Sequence, residues 1–210
     1  MSVEKSRPRN VSLPAARLEF RVQQRRKGIL EAAAEVFAEM GYEKATLEAI
    51  GEAVGLSKGS LYYYTASKEE LLAGLIEMAI QQIEQWTDAE LTPNSFAADH
   101  IRALVRAHLR AVSHSAAGRV LARHLDAVLR VDKSREARRR YERRWEKILE
   151  QGVTEGAFRP INVPVVMRLV LGAINSTSYW QQSGMRSGDF EQIANEAFTV
   201  LLAGIGRRAE

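Results

Sequence analysis

The residues best suited to chemistry in this sequence lie together in one short segment. It reads Ser57, Lys58, Gly59, Ser60, Leu61, Tyr62, Tyr63, Tyr64. Lysine, serine and tyrosine side chains can donate hydrogen bonds to phosphates and base edges, and a glycine lets the backbone come close. Successive residues of a helix point about 100° apart, so three consecutive tyrosines cannot all enter one core. At least one is therefore expected to be exposed, and the chemistry expected here is contact with nucleic acid.

Short helices would have to position these side chains. Thr46 is suited to cap a helix that ends before Gly55, and Ser57 is suited to cap the next one. Two short helices around a glycine turn predict a helix-turn-helix, whose second helix fits a major groove about 12 Å wide. An ordinary helical corner with a cluster of aromatic rings is the alternative interpretation. Ser67 and Glu70 have the spacing of a capping box and open a longer helix, where Lys68 could bind a phosphate.

Helical spacing of apolar residues continues through most of the chain. From Gln23 onward the pattern predicts about nine helices, with no strand and no internal repeat. The break at Thr92-Pro93-Asn94 is the best candidate for a domain joint. We therefore expect an all-α protein, in which the part with the helix-turn-helix is called the head and the helices beyond the joint are called the body. The expected divisions are a basic arm (1–22), the head (23–66), a connecting helix with its joint (67–92) and the body (93–210).

Composition narrows the class of protein. The chain has 210 residues, 46% of them apolar, and no cysteine. Disulfide frameworks, thiolate nucleophiles and cysteine-bound zinc are thereby excluded, and a reducing compartment is favoured. No apolar run approaches the ~18 residues of a membrane helix, and the charged first ten residues do not resemble a signal peptide. We expect a cytoplasmic protein without a membrane partner.

Positive charge is unevenly distributed. Residues 1–27 hold eight basic side chains against two acidic ones, and Arg130–Lys147 holds nine against four. A basic arm ahead of a folded domain can bind a phosphate backbone, although a solubilising tail is the alternative. The second cluster is interpreted as a solvated helix face with many ion pairs along the helix.

Residues 25–72 resemble the DNA-binding domain of the TetR family of bacterial transcriptional regulators. The matching residues run Ile29 to Ala33, Phe37 to Tyr42, Ala45-Thr46, Ile50 to Tyr64 and Ser67 to Leu72. The resemblance implies a three-helix DNA-binding head joined to an all-α, six-helix regulatory and dimerisation body. It also implies a small-molecule inducer that lowers DNA affinity. The DNA-binding residues that follow by position are Thr46, Ser57, Lys58, Gly59, Ser60, Tyr62, Tyr63 and Lys68. Thr65 departs from the family pattern, which usually has an aromatic residue there.

The body offers polar residues on otherwise apolar helix faces. The candidate ligand-binding residues are His108, His124, Trp145, Asn175 and Tyr179. A ligand cavity would supply partners for buried polar groups, although core residues satisfied by the protein itself are the alternative. The four histidines lack paired metal-ligand spacing, so no metal site and no cofactor are predicted. The segment Gln151 to Pro160 resembles the loop between helices seven and eight of many family members. Its neighbourhood resembles the subgroup that controls fatty-acid and steroid catabolism, which implies an acyl-coenzyme A or another lipid or steroid catabolite as inducer.

The last two helices are predicted to form the dimer interface. Gly172, Ala173, Ala194 and Ala197 would allow close approach in a four-helix arrangement with a second copy. The sequence shows no nucleophile–base pair and no phosphate-binding glycine loop, so an enzyme is not expected. The predicted function is a ligand-responsive repressor, released from a pseudo-palindromic operator in double-stranded DNA by its inducer. A non-specific DNA-binding protein without an effector is the alternative.

Overall fold

The computed structural model describes residues 13–180 and 190–206, and these are helical almost throughout. The elements are α1 (Leu13–Met40), α2 (Leu47–Ala53), α3 (Lys58–Tyr62), α4 (Lys68–Ala89), α5 (Ala97–His114), α6 (Ala116–Arg123), α7 (Leu125–Arg130), a 3₁₀ turn (Asp132–Ser134), α8 (Arg135–Thr154), α9 (Val163–Trp180) and α10 (Phe190–Ile205). In these residues the β pairing is one isolated bridge between Phe158 and Gly206. The predicted all-α class is confirmed.

Two predicted helix boundaries were wrong. The apolar residues of segment 120–128 have the spacing of a single helix, which predicts one helix there, but the chain leaves helical geometry at His124 (φ −115°, ψ 42°) and forms α6 and α7. No proline or glycine marks this break, and it raises the number of α-helices in the described residues from about nine to ten. Helix α1 begins at Leu13 rather than Gln23, so the C-terminal part of the predicted arm is helical. Residues 1–12 of that arm lie outside the described residues.

The head consists of α1, α2 and α3 around a small core. Ile29 and Phe37 of α1, Ile50 of α2 and Leu61 of α3 are buried together. Helix α1 ends before Gly41, whose φ of +81° is a left-handed conformation that most side chains disfavour. Helices α2 and α3 have only 7 and 5 residues and are too short to be stable alone, so their contacts with α1 hold the head together.

Helix α4 joins the head to the body. Its apolar face, which includes Leu72, Leu75 and Ile83, is buried. This face packs against α1 of the head and against α5, α6 and α8 of the body. A displacement of α4 within the body would therefore also shift its contacts with the head.

Helix α5 is the centre of the body. Its predicted inward stripe is confirmed, because Ile101, Leu104, His108 and Leu109 are all buried. Helices α4, α6, α8, α9 and α10 pack around it. Helix α6 lies so close to α5 that a Cβ atom on Gly118 would be 2.2 Å from the Ala111 carbonyl oxygen. The six body helices thus enclose one core. Ser183-Gly184 and Ser187-Gly188 predict a loop between the last two helices, and this segment lies outside the described residues.

Candidate DNA interface and ligand cavity

The helix-turn-helix is fixed by the capping residues that the sequence indicates. Thr46 Oγ1 accepts a hydrogen bond from Ala49 N–H at 3.2 Å. Ser57 Oγ accepts one from Ser60 N–H, also at 3.2 Å. Between the two helices, Gly55 has a φ of +64°. The predicted caps and turn are confirmed, and α3 has a defined starting point and direction.

One side of α3 is open to solvent. Tyr63 is 78% exposed and Tyr62 is 49% exposed, whereas Tyr64 packs against the core. The expectation that at least one tyrosine is exposed is confirmed. A Cβ atom on Gly59 would meet no protein atom within 4 Å, so packing inside this chain does not require a glycine there. The open side can accept a close-fitting macromolecule.

Lys58 is held in place on this surface by α2. Its ammonium group forms an ion pair with the Glu48 carboxylate. The hydrogen bond between them lowers the pKa of Glu48 and raises the pKa of Lys58. Lys58 therefore stays charged, and its direction is set by α2 rather than by α3 alone.

The unusual Thr65 has a structural explanation. Its side chain is buried, and its hydroxyl donates a 3.0 Å hydrogen bond to the Ser67 carbonyl oxygen. The bond stabilises the turn between α3 and α4 without an aromatic ring. Ser67 Oγ caps α4 through the Glu70 N–H, while the Glu70 carboxylate accepts from Ala66 N–H, one residue before the position expected for a capping box.

The Lys68 side chain binds backbone atoms of the protein itself. Its ammonium donates to the carbonyl oxygens of Tyr42 (2.7 Å), Glu43 (3.1 Å) and Ala45 (3.2 Å) and lies 4.6 Å from the centre of the Tyr42 ring. An ammonium group has three donors, so none remains for a phosphate in this arrangement. The geometry gives Lys68 another role than the expected phosphate contact: it ties the start of α4 to the α1–α2 turn.

A second site lies in the body, where a cavity of about 120 Å³ is enclosed by α4 to α9. Its walls are mainly apolar, and three of its polar residues form a chain of hydrogen bonds. His108 Nδ1 lies 2.7 Å from the Tyr141 hydroxyl, and His108 Nε2 lies 2.9 Å from Asn175 Oδ1. Burial lowers the pKa of His108 and raises that of Tyr141. Both side chains are therefore neutral near pH 7.

The five predicted ligand-binding residues do not all meet here. His108 and Asn175 line the cavity. Trp145 is fully buried behind Tyr141, with its ring edge-on at 6.4 Å between centres, and does not line it. Its indole ring supports the wall from behind.

His124 and Tyr179 lie elsewhere than expected. His124 is at the α6–α7 break, facing the turn at Gly41 in the head. Tyr179 is half exposed, and its hydroxyl donates to the Arg123 carbonyl oxygen at 3.1 Å. Neither residue lines this cavity, and both lie at contacts between elements of the protein.

Residues that the sequence reasoning missed form the outer side of the cavity. Leu125 and Leu129 of α7 line it although they are 44% and 54% exposed, and Arg138 and Glu142 of α8 line it as well. The spacing of four residues within each pair was a usable signal, because it places each pair on one helix face. For Leu125 and Leu129 this signal was missed, because residues 120–128 were interpreted as one helix.

A larger apolar groove runs between α9 and α10. It measures about 770 Å³, and its lining includes Leu169 and Val200, which are 68% and 70% exposed. Ala173 and Ala197, two of the small residues expected at a dimer interface, line this groove. Ala194, a third, is instead buried in the protein's own core.

Residues 13–180 and 190–206 contain neither a metal-ligand cluster nor a membrane-spanning helix. No group of three histidine, aspartate or glutamate side chains there could hold a metal ion. No helix in this part of the chain is both long enough and apolar enough to span a bilayer.

The fold and its two sites define a class: an all-helical regulator with a helix-turn-helix head and a cavity in its body. Family models agree with this conclusion. Residues 29–75 match the model for bacterial regulatory proteins of the tetR family, and residues 95–205 match the tetracyclin repressor-like C-terminal domain. The chain belongs to the TetR family, and it is a DNA-binding transcriptional repressor.

Several known proteins are similar to this chain in sequence or in fold. The HTH-type transcriptional repressor KstR2 of Mycobacterium tuberculosis is 28% identical over 200 residues, covering 90% of this chain and 96% of that protein. The fold is shared with FadR of Bacillus subtilis in complex with stearoyl-CoA (TM-score 0.70, 23% identity, 85% and 98% covered). It is also shared with AibR in complex with isovaleryl coenzyme A and operator DNA (TM-score 0.71, 22% identity, 84% and 97% covered).

Proposed function

We propose that the protein binds a pseudo-palindromic operator by placing α3 in the major groove. The observation that carries this proposal is the open side of α3, where Tyr63 is 78% exposed. Lys58, Ser60, Tyr62 and Tyr63 would contact bases or backbone, and Gly59 would allow close approach. Thr46 and Ser57, at the starts of α2 and α3, would contact phosphates through their hydroxyl groups and the adjacent N–H groups.

Operator binding of this kind needs two heads, and we propose that a second copy supplies the other one. The groove between α9 and α10 is apolar and exposes Leu169 and Val200, a combination that marks interaction surfaces. Two such surfaces facing each other across a two-fold axis would form a four-helix interface. The homodimer would then match the symmetry of the operator.

We propose an acyl-coenzyme A thioester as the inducer, with its acyl group in the 120 Å³ cavity. The support is the apolar wall with one polar end, together with the coenzyme A esters bound by FadR and AibR. The Asn175 amide nitrogen makes no hydrogen bond to any described residue and could donate to a carbonyl oxygen. A water-sized group occupies about 30 Å³. The cavity of about 120 Å³ therefore holds an acyl chain of about four carbons. A longer chain or a sterol ring would have to displace α7.

The cavity is connected to the head through its own walls. Ala79, Ile80 and Ile83 of α4 line it, and α4 is tied to the head through Lys68. Helix α6, which also lines it, packs against α1. A ligand that moves α4 or α6 would change the orientation of α3, and about 3 kcal/mol of coupling would change operator occupancy more than a hundredfold.

Operator titration tests this function. We expect the protein to bind the DNA upstream of its own gene more tightly than a scrambled duplex in fluorescence anisotropy. Isovaleryl-CoA, stearoyl-CoA and the free acids would then be added to the complex. Release by the short thioester alone would support the proposed cavity occupant. Equal affinity for both duplexes would instead favour a non-specific DNA-binding protein without an effector.

We infer further that the protein acts as a regulator and not as an enzyme, and that it works in the cytoplasm. Support for the first inference is the family itself, whose members are regulatory proteins. Support for the second is its need to reach chromosomal DNA. Hydrolysis of an added thioester by the purified protein would contradict the first inference, and recovery with a membrane fraction would contradict the second.

A further inference from the structure

The N-terminal half of α1 extends beyond the core of the head. The first fully buried residue of α1 is Ile29, and the side chains described before Lys27 are all exposed. At 1.5 Å per residue, Leu13–Lys27 is about 22 Å long. Its exposed cations give the helix a charged surface that no packing inside this chain explains.

The direction of this extension follows from three contacts. At the C-terminal end of α1, Glu35 pairs with Arg119 of α6 at 3.9 Å, and Gly41 faces His124. At its middle, the Arg25 guanidinium donates to the Val54 carbonyl oxygen, 3.1 Å away, at the end of α2. The residues before Arg25 therefore leave the head on the side of the helix-turn-helix and away from the body.

The basic residues of the extension are regularly spaced. Arg17, Arg21 and Arg25 follow at intervals of four, which places them along one side of the helix about 6 Å apart. This interval is close to the axial rise of two nucleotides in one DNA strand, about 7 Å. Among the described ion pairs, none involves Arg17 or Arg21, and Glu19 is the single acidic residue between 13 and 27.

We propose that Arg17 and Arg21 bind phosphates of the duplex beside the half-site that α3 contacts. The inference rests on the proposed operator binding and adds a second, sequence-independent contact surface to each head. Arg25, fixed to the end of α2, sets the angle of the extension relative to α3. A guanidinium group suits this role because it binds a phosphate through two donors at once.

The test compares an R17A/R21A double variant with the wild-type chain in the same salt titration. Each lost phosphate contact should reduce the slope of log affinity against log salt by about 0.9, so the dimer should lose about 3 to 4. At about 150 mM salt we expect at least a tenfold loss, equal for operator and scrambled duplex. On an operator trimmed to its two half-sites, wild type and variant should bind alike, because the flanking phosphates are gone.

Two control variants separate this effect from others. R139A/K147A removes the same charge from an exposed face of α8 in the body and should leave the slope unchanged. R17K/R21K keeps the charge and should retain the slope. Alanine is a stronger helix former than arginine, so R17A/R21A should not weaken the helix, and its melting temperature should match that of wild type.

The outcomes distinguish this inference from the proposed function. Operator-specific binding by wild type, with identical salt slopes for wild type and R17A/R21A, would overturn the phosphate contact and leave the proposed function standing. The absence of any preference for the operator in wild type would overturn the proposed function itself. A loss equal to that of R139A/K147A would show an effect of net charge alone and would also overturn the inference.

Discussion

The His108 imidazole and the Tyr141 hydroxyl form a 2.7 Å hydrogen bond at the polar end of the cavity. The other ring nitrogen of His108 faces Asn175 Oδ1, which can only accept, so Nε2 carries the proton. In a neutral ring Nδ1 is then an acceptor, and the Tyr141 hydroxyl donates to it. Burial lowers the pKa of His108, because the charged imidazolium would lose its hydration in this site. Protonation would also remove the acceptor of the Tyr141 hydroxyl.

This arrangement predicts a loss of stability in mild acid. Because the pKa of His108 is lower in the folded protein than the ordinary 6.5, the unfolded chain takes up a proton first as the pH falls below about 6.5. Stability should therefore fall by up to about 1.4 kcal/mol per pH unit until the folded pKa is reached. Thermal or urea unfolding between about pH 8 and about pH 5 measures this.

Two variants test whether His108 causes this loss of stability in mild acid. H108Q should remove this part of the pH dependence, because glutamine does not titrate. H114Q, at an exposed position of α5, should retain it. The same slope in H108Q and wild type would assign the effect to another group, such as His124, whose pKa burial also lowers.

The local parts of this structure could be predicted and the long-range ones could not. Thr46, Ser57 and Gly55 act on residues within one helical turn, so their types and spacing suffice to predict caps and a turn. His108, in contrast, meets Tyr141 and Asn175 across 33 and 67 positions of sequence. Such partners depend on how helices pack, and apolar periodicity only indicates which face is buried.

Lys68 shows where a resemblance of sequence is insufficient. Its place at the start of α4 suggested a phosphate contact, but the three carbonyl oxygens that it binds come from the α1–α2 turn. Those oxygen atoms belong to the backbone, so the residue types in the turn do not indicate that a lysine binds there. The break at His124 was missed for a similar reason, since it has neither proline nor glycine to mark it.

The internal role of Lys68 leads to a prediction that separates structure from DNA contact. K68M should lower the free energy of unfolding by at least about 1.5 to 3 kcal/mol, the contribution of one hydrogen bond to a charged group, because three such bonds are lost. Operator affinity should fall with it, but the salt slope should stay unchanged, since no phosphate contact is removed. Chemical unfolding and salt-dependent anisotropy on the same preparation measure both quantities.

K58M provides the contrast to that variant. Lys58 is exposed and its pair with Glu48 lies on the surface, so its loss should have little effect on stability. If it contacts DNA, the salt slope should become flatter. A flatter slope of log affinity against log salt in K68M, together with wild-type stability, would contradict the internal role of Lys68. It would support the phosphate contact that the sequence suggested.

Tyr63 should contribute to operator binding and not to folding. Since the side chain is 78% exposed, Y63A should leave the melting temperature unchanged while weakening operator binding by about 1 to 3 kcal/mol. Y63F distinguishes the hydroxyl from the ring, because it keeps stacking and methyl contacts but loses the donor. Y64A is the matched comparison: Tyr64 packs against the core, so its loss should lower the melting temperature. Wild-type operator affinity in Y63A would move the DNA contact away from this side of α3.

The last prediction concerns the groove between α9 and α10. Leu169 lines it and is 68% exposed in the single chain, so a dimer would bury it and a carboxylate there would face apolar partners without compensation. We expect L169E to be monomeric in analytical ultracentrifugation and to lose more than about tenfold in operator affinity, because one head makes too few contacts. Phe96 is 67% exposed but lies outside the groove, so F96E introduces the same charge as a control and should remain dimeric. A dimeric L169E with normal operator binding would place the interface on another face of the body.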